Sequence, residues 1–72
     1  MKDFHINIFY SDDDDGYIAD IPDLKNCSAF GTTPNEALQE VLIAQKIWIE
    51  EAKSSNLPIP NPQYRPMIYK VV

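Results

Sequence analysis

A single cysteine, Cys27, rules out a disulfide within the chain. A single histidine, His5, leaves too few nitrogen and sulfur ligands for a structural zinc site, which takes about four. No apolar run approaches the ~20 residues of a membrane span, and no secretory signal pattern follows Met1. These absences predict a cytoplasmic protein with no membrane partner. Positive charge is also scarce: six Lys and Arg stand against eleven Asp and Glu, a formal net charge of −5. That balance repels phosphate backbones, so direct nucleic-acid binding is not expected. It suits a basic protein partner. The 72 residues are expected to form one domain, 1–72. A chain of that size buries only ~60% of the surface it exposes when unfolded. Without disulfide or metal, self-association or a partner is the expected compensation, so a homo-oligomer (dimer or tetramer) is anticipated.

The most strongly patterned stretch runs from Thr33 to Ala52. Thr33-Pro34-Asn35-Glu36 reads as a capping box, with Thr33 accepting a first-turn N–H and Glu36 reaching back to the N-cap N–H. Pro34 falls at the first helical position, where its missing donor costs nothing. At ~100° per residue, Pro34, Ala37, Leu38, Val41, Leu42, Gln45, Trp48, Ile49 and Ala52 share one apolar side. Asn56 is placed to end the helix as a left-handed C′ residue.

The chain before this helix alternates as strands do. Phe4 to Tyr10 sets Phe4, Ile6, Ile8 and Tyr10 on one face and His5, Asn7 and Phe9 on the other. Ser11-Asp12-Asp13-Asp14-Asp15-Gly16 is a turn in which Gly16 is free to take positive φ. Tyr17 to Ile21 is a second strand, Pro22 to Asn26 breaks it, and Cys27 to Gly31 is a short third strand. Short turns between the three predict an antiparallel meander. After the helix, prolines at 58, 60 and 62 enforce a stiff extended return, and residues 66–72 read as a last strand. The order β-β-β-α-β predicts an α+β two-layer sandwich, a meander covered by one long helix.

Few residues promise chemistry. Framed as an EF-hand from Ser11, the aspartate run would put Pro22 where the loop needs its bidentate Glu, with strands in place of helices. A solvated hairpin tip is the better reading. His5 has no nucleophile or orienting group near it in sequence, and Cys27 reads as a small buried hydrophobe. No catalytic residue, metal or cofactor is expected. Ile43 and Ile47, by contrast, lie opposite the apolar face, with Glu36, Glu40, Glu50 and Glu51 on the same side. An apolar centre with an acidic rim suits self-association or a basic partner.

Two segments together resemble the HicB antitoxin family. Gly16-Tyr17-Ile18-Ala19-Asp20-Ile21-Pro22-Asp23-Leu24 is similar to its Y-x-A-x-x-P-D-L signature. Cys27-Ser28-Ala29-Phe30-Gly31-Thr32-Thr33-Pro34-Asn35-Glu36-Ala37-Leu38 matches its C-x-A-x-G-x-T-x-x-E-A-L segment. Trp48-Ile49-Glu50 and Pro58-Ile59-Pro60 fit as well. The resemblance implies a partial RNase H fold with the last strand beside the first. It also implies antitoxin function: silencing HicA, a small basic mRNA-cleaving toxin with a double-stranded-RNA-binding-like fold. RNase H chemistry itself needs an aspartate in the middle of strand one, and His5-Ile6-Asn7-Ile8 stands there, so a non-enzymatic protein is expected. Many family members append a C-terminal DNA-binding domain, and a short form without it is expected here. The signature turn makes Asp20, Pro22 and Asp23 a second candidate contact beside Ile43, Ile47, Glu36, Glu40 and Glu50. A stand-alone homo-oligomeric interaction module without a toxin is the alternative.

Overall fold

A computed structural model describes residues 3–64. Strands β1 (Asn7–Ser11), β2 (Gly16–Asp20) and β3 (Ser28–Gly31) precede helix α1 (Pro34–Ser54). Both strand pairings are antiparallel, in the spatial order β1-β2-β3, and the helix packs across one face. This is the expected α+β meander under a helix. The anticipated final strand, 66–72, lies outside the described residues.

Alternation along the strands sorts their side chains into two faces. Tyr17, Ala19 and Ala29 turn toward the helix and pack into a core with Phe4, Ile21, Leu24, Cys27, Ala37 and Val41. Leu38, Ala44, Trp48, Ile49 and Ile59 close over it. The opposite face has no covering element among the described residues. There the register sets Phe9 beside Ile18 and Ile18 beside Phe30, an apolar row across all three strands.

Four local readings are corrected. β1 starts at Asn7 rather than Phe4, because β2 offers no partner beyond Asp20. The Ile21 N–H instead donates across the following loop to the Cys27 carbonyl at 3.0 Å. In the first hairpin, Asp15 and not Gly16 takes the left-handed conformation (φ 52°). Asp tolerates that region, whereas Gly16 is there because a Cβ would strike the Phe30 ring. Pro22 to Asn26 is more than a break: Leu24 plugs the core and Asn26 turns the chain at φ 59°. Finally, Leu42 is 46% exposed, while Ala44 packs inward. The three strands among the described residues leave the margin of the apolar side uncovered.

The helix termini follow local rules closely. The Thr33 hydroxyl accepts the Glu36 N–H at 3.1 Å. The Glu36 carboxylate reaches back one residue further than a standard capping box, accepting the Thr32 N–H at 3.0 Å. At the other end, Asn56 takes φ 56° and donates to the Lys53 carbonyl, and Leu57 donates to that of Ala52. Those two bonds make a Schellman cap. Thr33→Ala removes the N-cap acceptor and is expected to cost about 1 kcal/mol. A urea melt should show a lower midpoint with an unchanged slope; an unaltered midpoint would mean that the cap does not stabilise the helix.

Candidate partner interface

The outer side of α1 carries the apolar residues that the fold does not use. Ile43 and Ile47 are each 55% exposed, one turn apart, and Leu42 extends the strip. Exposed acids flank them at Glu40, Glu50 and Glu51. Helical spacing puts Glu40 three residues before Ile43, and Glu50 and Glu51 three and four after Ile47, so the acids border the strip directly. Glu36 is also exposed, but its carboxylate is engaged by Thr32 through both the N–H and the hydroxyl.

Ile47 forms the lip of a groove of about 550 Å³ between the C-terminal half of α1 and the β2–β3 loop. Trp48, Ala44, Ala52 and Leu57 give it an apolar floor, with Lys25 and Glu51 on its walls. The Trp48 indole N–H donates to the Lys25 carbonyl at 3.0 Å and ties the loop to the helix. Ile47, Glu50, Glu51 and Ser54 line a smaller dent beside it. Sequence reading found Ile47 and the acids but not the groove, because the loop that makes its second wall is distant in sequence.

Asp20 and Asp23 are half-buried, not exposed as the signature turn suggested. The Asp23 carboxylate accepts the backbone N–H groups of Gln63 (3.2 Å) and Tyr64 (3.1 Å). It therefore holds the proline-rich return against the core. The Tyr64 ring meets His5 at 4.7 Å, and His5 Nε2 lies 2.6 Å from Asn7 Oδ1. His5 thus packs against the return that Asp23 holds. Ile43 and Ile47 are not brought together with Asp20 and Asp23 by any contact described.

The other titratable groups have structural surroundings. Cys27 is a buried free thiol, and burial pushes its pKa up, which disfavours the nucleophilic thiolate. The Tyr10 phenol donates to Asp15 Oδ1 at 2.9 Å, and this bond, ahead of desolvation, raises its pKa. Ser11 donates to Asp14 Oδ2, so the aspartate run is organised as a hairpin tip. Among the described residues no cluster of three or more His, Cys, Asp or Glu is arranged to hold a metal ion. Nor is any helix among them long and apolar enough to cross a membrane.

No protein-family model matches the chain, and no solved structure does. A UPF0150 protein, ssl0259, from Synechocystis is 35% identical over 54 residues, which cover 75% of this chain and 74% of that protein.

Proposed function

The chain belongs to the UPF0150 family, and from that premise we propose that it is the antitoxin of a type II toxin–antitoxin system. In this reading it is a cytoplasmic, non-enzymatic, homo-oligomeric protein with a HicB-like, partial RNase H fold. It binds a HicA-like basic toxin and covers the RNA-binding surface of that toxin, by steric occlusion and charge complementarity. The HicB-like motif residues support the reading on the sequence side. The observation that carries it is the exposed Ile43–Ile47 pair bordered by Glu40, Glu50 and Glu51. Those isoleucines anchor the contact, and the acids steer the cationic partner and set its salt dependence. Glu36 contributes charge from its cap. Asp20 and Asp23 form a lesser contact, since Asp23 is already occupied by the chain's own return.

The test is co-expression with a neighbouring short open reading frame encoding a basic protein, followed by co-purification and a toxicity assay. Burying an isoleucine contributes about 1.5–3 kcal/mol, so Ile43→Ser with Ile47→Ser should weaken toxin binding by roughly a hundredfold or more. Circular dichroism should remain that of the parent, because neither side chain enters the core. Unchanged affinity and unchanged neutralisation would remove the helix from the interface. Divalent-metal-dependent RNA cleavage by the pure protein, abolished by a single carboxylate change, would refute the non-enzymatic reading.

A further inference from the structure

We propose that the open face of the sheet, centred on Phe9, Ile18 and Phe30, is the surface on which a second copy of this chain docks. The helix occupies one face of the sheet, and these three residues lie side by side on the other. Phe9 is 50% exposed and Phe30 43%, with Ile18 half-buried between them. Gly16 leaves room beneath the Phe30 ring, which a Cβ at that position would displace. The row is thus seated on the sheet rather than projecting loosely from it. A solvated sheet face ordinarily alternates to polar residues here.

Charge selects the occupant. Eleven acidic residues give the chain its net −5, yet strand alternation brings only Asp20 onto this face, at its edge. Its other strand positions there are the neutral Asn7, Ser11, Gly16 and Ser28. Asp12 to Asp15 sit at the hairpin tip, and Glu36, Glu40, Glu50 and Glu51 are on the helix, across the molecule. A basic partner would find little to attract it to the sheet. A second acidic copy can approach here, and nowhere on the outer helix, without opposing like charges.

The geometry is self-complementary. Two sheets pack face to face at about 10 Å with their strands within ~30° of each other. A two-fold axis between the faces and perpendicular to β2 at Ile18 sets Ile18 against Ile18, Phe9 against Phe9 and Phe30 against Phe30, with Asp20 of each copy over Gly16 of the other and the two aspartate-rich hairpin tips at opposite ends. That is an isologous contact, the commonest way homodimers close. The three strands among the described residues, of about five residues each, give a footprint of ~10 × 17 Å between backbones. This falls short of the ~800 Å² per partner of a standard stable interface. The dimer is therefore concentration-dependent and leaves the outer helix free.

Sedimentation equilibrium of the full chain over a dilution series tests this. The parent is expected to move from the 8.2 kDa monomer toward twice that mass as concentration rises. Phe9→Lys, which opposes cations across the axis, should raise the midpoint at least tenfold with an unchanged circular dichroism spectrum. Ile18→Thr keeps a β-favouring residue on the central strand, and it decides the matter if Phe9→Lys fails to fold. The Ile43→Ser, Ile47→Ser protein should associate as the parent does. A parent that stays monomeric would overturn the proposal, as would sheet variants that dimerise unchanged or association lost only in the helix variant. Loss of a basic partner from Phe9→Lys with no change in self-association would assign the face to that partner, and would equally overturn it.

Discussion

Gly31→Ala is expected to unfold most of the population at temperatures where the parent is folded. Gly31 ends β3 directly opposite Tyr17 and faces the start of α1. A Cβ there would run into the Ala37 amide nitrogen and stand 2.7 Å from the Glu36 carbonyl carbon and 2.8 Å from Ala37 Cα. These are backbone atoms of a helix fixed by the Thr33 cap, so no rotamer change relieves them. Overpacking ordinarily costs ~1–3 kcal/mol, and an immovable neighbour places this change at or beyond the upper end. A domain of this size has about 5 kcal/mol in hand. A loss near 3 kcal/mol lowers the melting temperature by roughly 12–24 °C. Gly16→Ala is the milder contrast, because its two closest neighbours are atoms of the Phe30 side chain, which can swing away at less cost, and one backbone atom, the Gly31 carbonyl oxygen, stands at 2.9 Å. Thermal melts followed by circular dichroism at 222 nm measure both. A Gly31→Ala protein melting within a few degrees of the parent would show that the helix does not approach the sheet this closely.

The parts of this fold that were legible in the sequence are those decided within a few residues. Thr33, Pro34 and Glu36 announce the helix start, and Asn56 its end, because capping is a matter of one turn of backbone. The three strands and their order were legible for the same reason. What was not legible depends on residues far apart in the chain. Phe4 to Ile6 alternate like a strand, but whether they pair is decided by β2, which ends in the turn at Pro22. Gly16 reads as a turn glycine, and only Phe30, on the next strand of the sheet, explains it. Leu42 fits a helical apolar face, yet the three strands among the described residues do not extend far enough to cover it.

The candidate site divides along the same line. Ile43 and Ile47 were identifiable because helical periodicity alone puts them opposite the core, and they are exposed. The groove beneath Ile47 needed the β2–β3 loop to be placed against α1. Asp23 illustrates the opposite error. An acidic residue in a turn reads as exposed and available, but its carboxylate is taken up by two backbone donors some forty residues later. The Phe9–Ile18–Phe30 row was visible only as single apolar residues on the polar side of each strand, and the register made a surface of them.

Trp48→Ala should be the most destabilising change on the helix. The indole packs against the core cluster and forms part of the groove floor, and its N–H holds the Lys25 carbonyl. Removing a packed Trp costs ~3–5 kcal/mol. Trp48 is half-buried rather than enclosed, so the lower part of that range applies. Two contributions can be separated. Trp48→Phe keeps an aromatic ring over the core and loses a part of the packed area together with the N–H, whose own net contribution is about 1 kcal/mol because solvent can rehydrate the carbonyl. Trp48→Ala loses the whole ring and the N–H, and frees the loop from Lys25 to Cys27 as well. The alanine variant should therefore melt at least 10 °C below the parent, and the phenylalanine variant by less than half of that shift. Circular dichroism is the required readout, since Trp48 is the sole tryptophan and its fluorescence disappears with it. Equal losses in the two variants would assign the stability to the hydrogen bond instead of the packing. No loss in either would mean that the helix lies over the sheet in a different rotation.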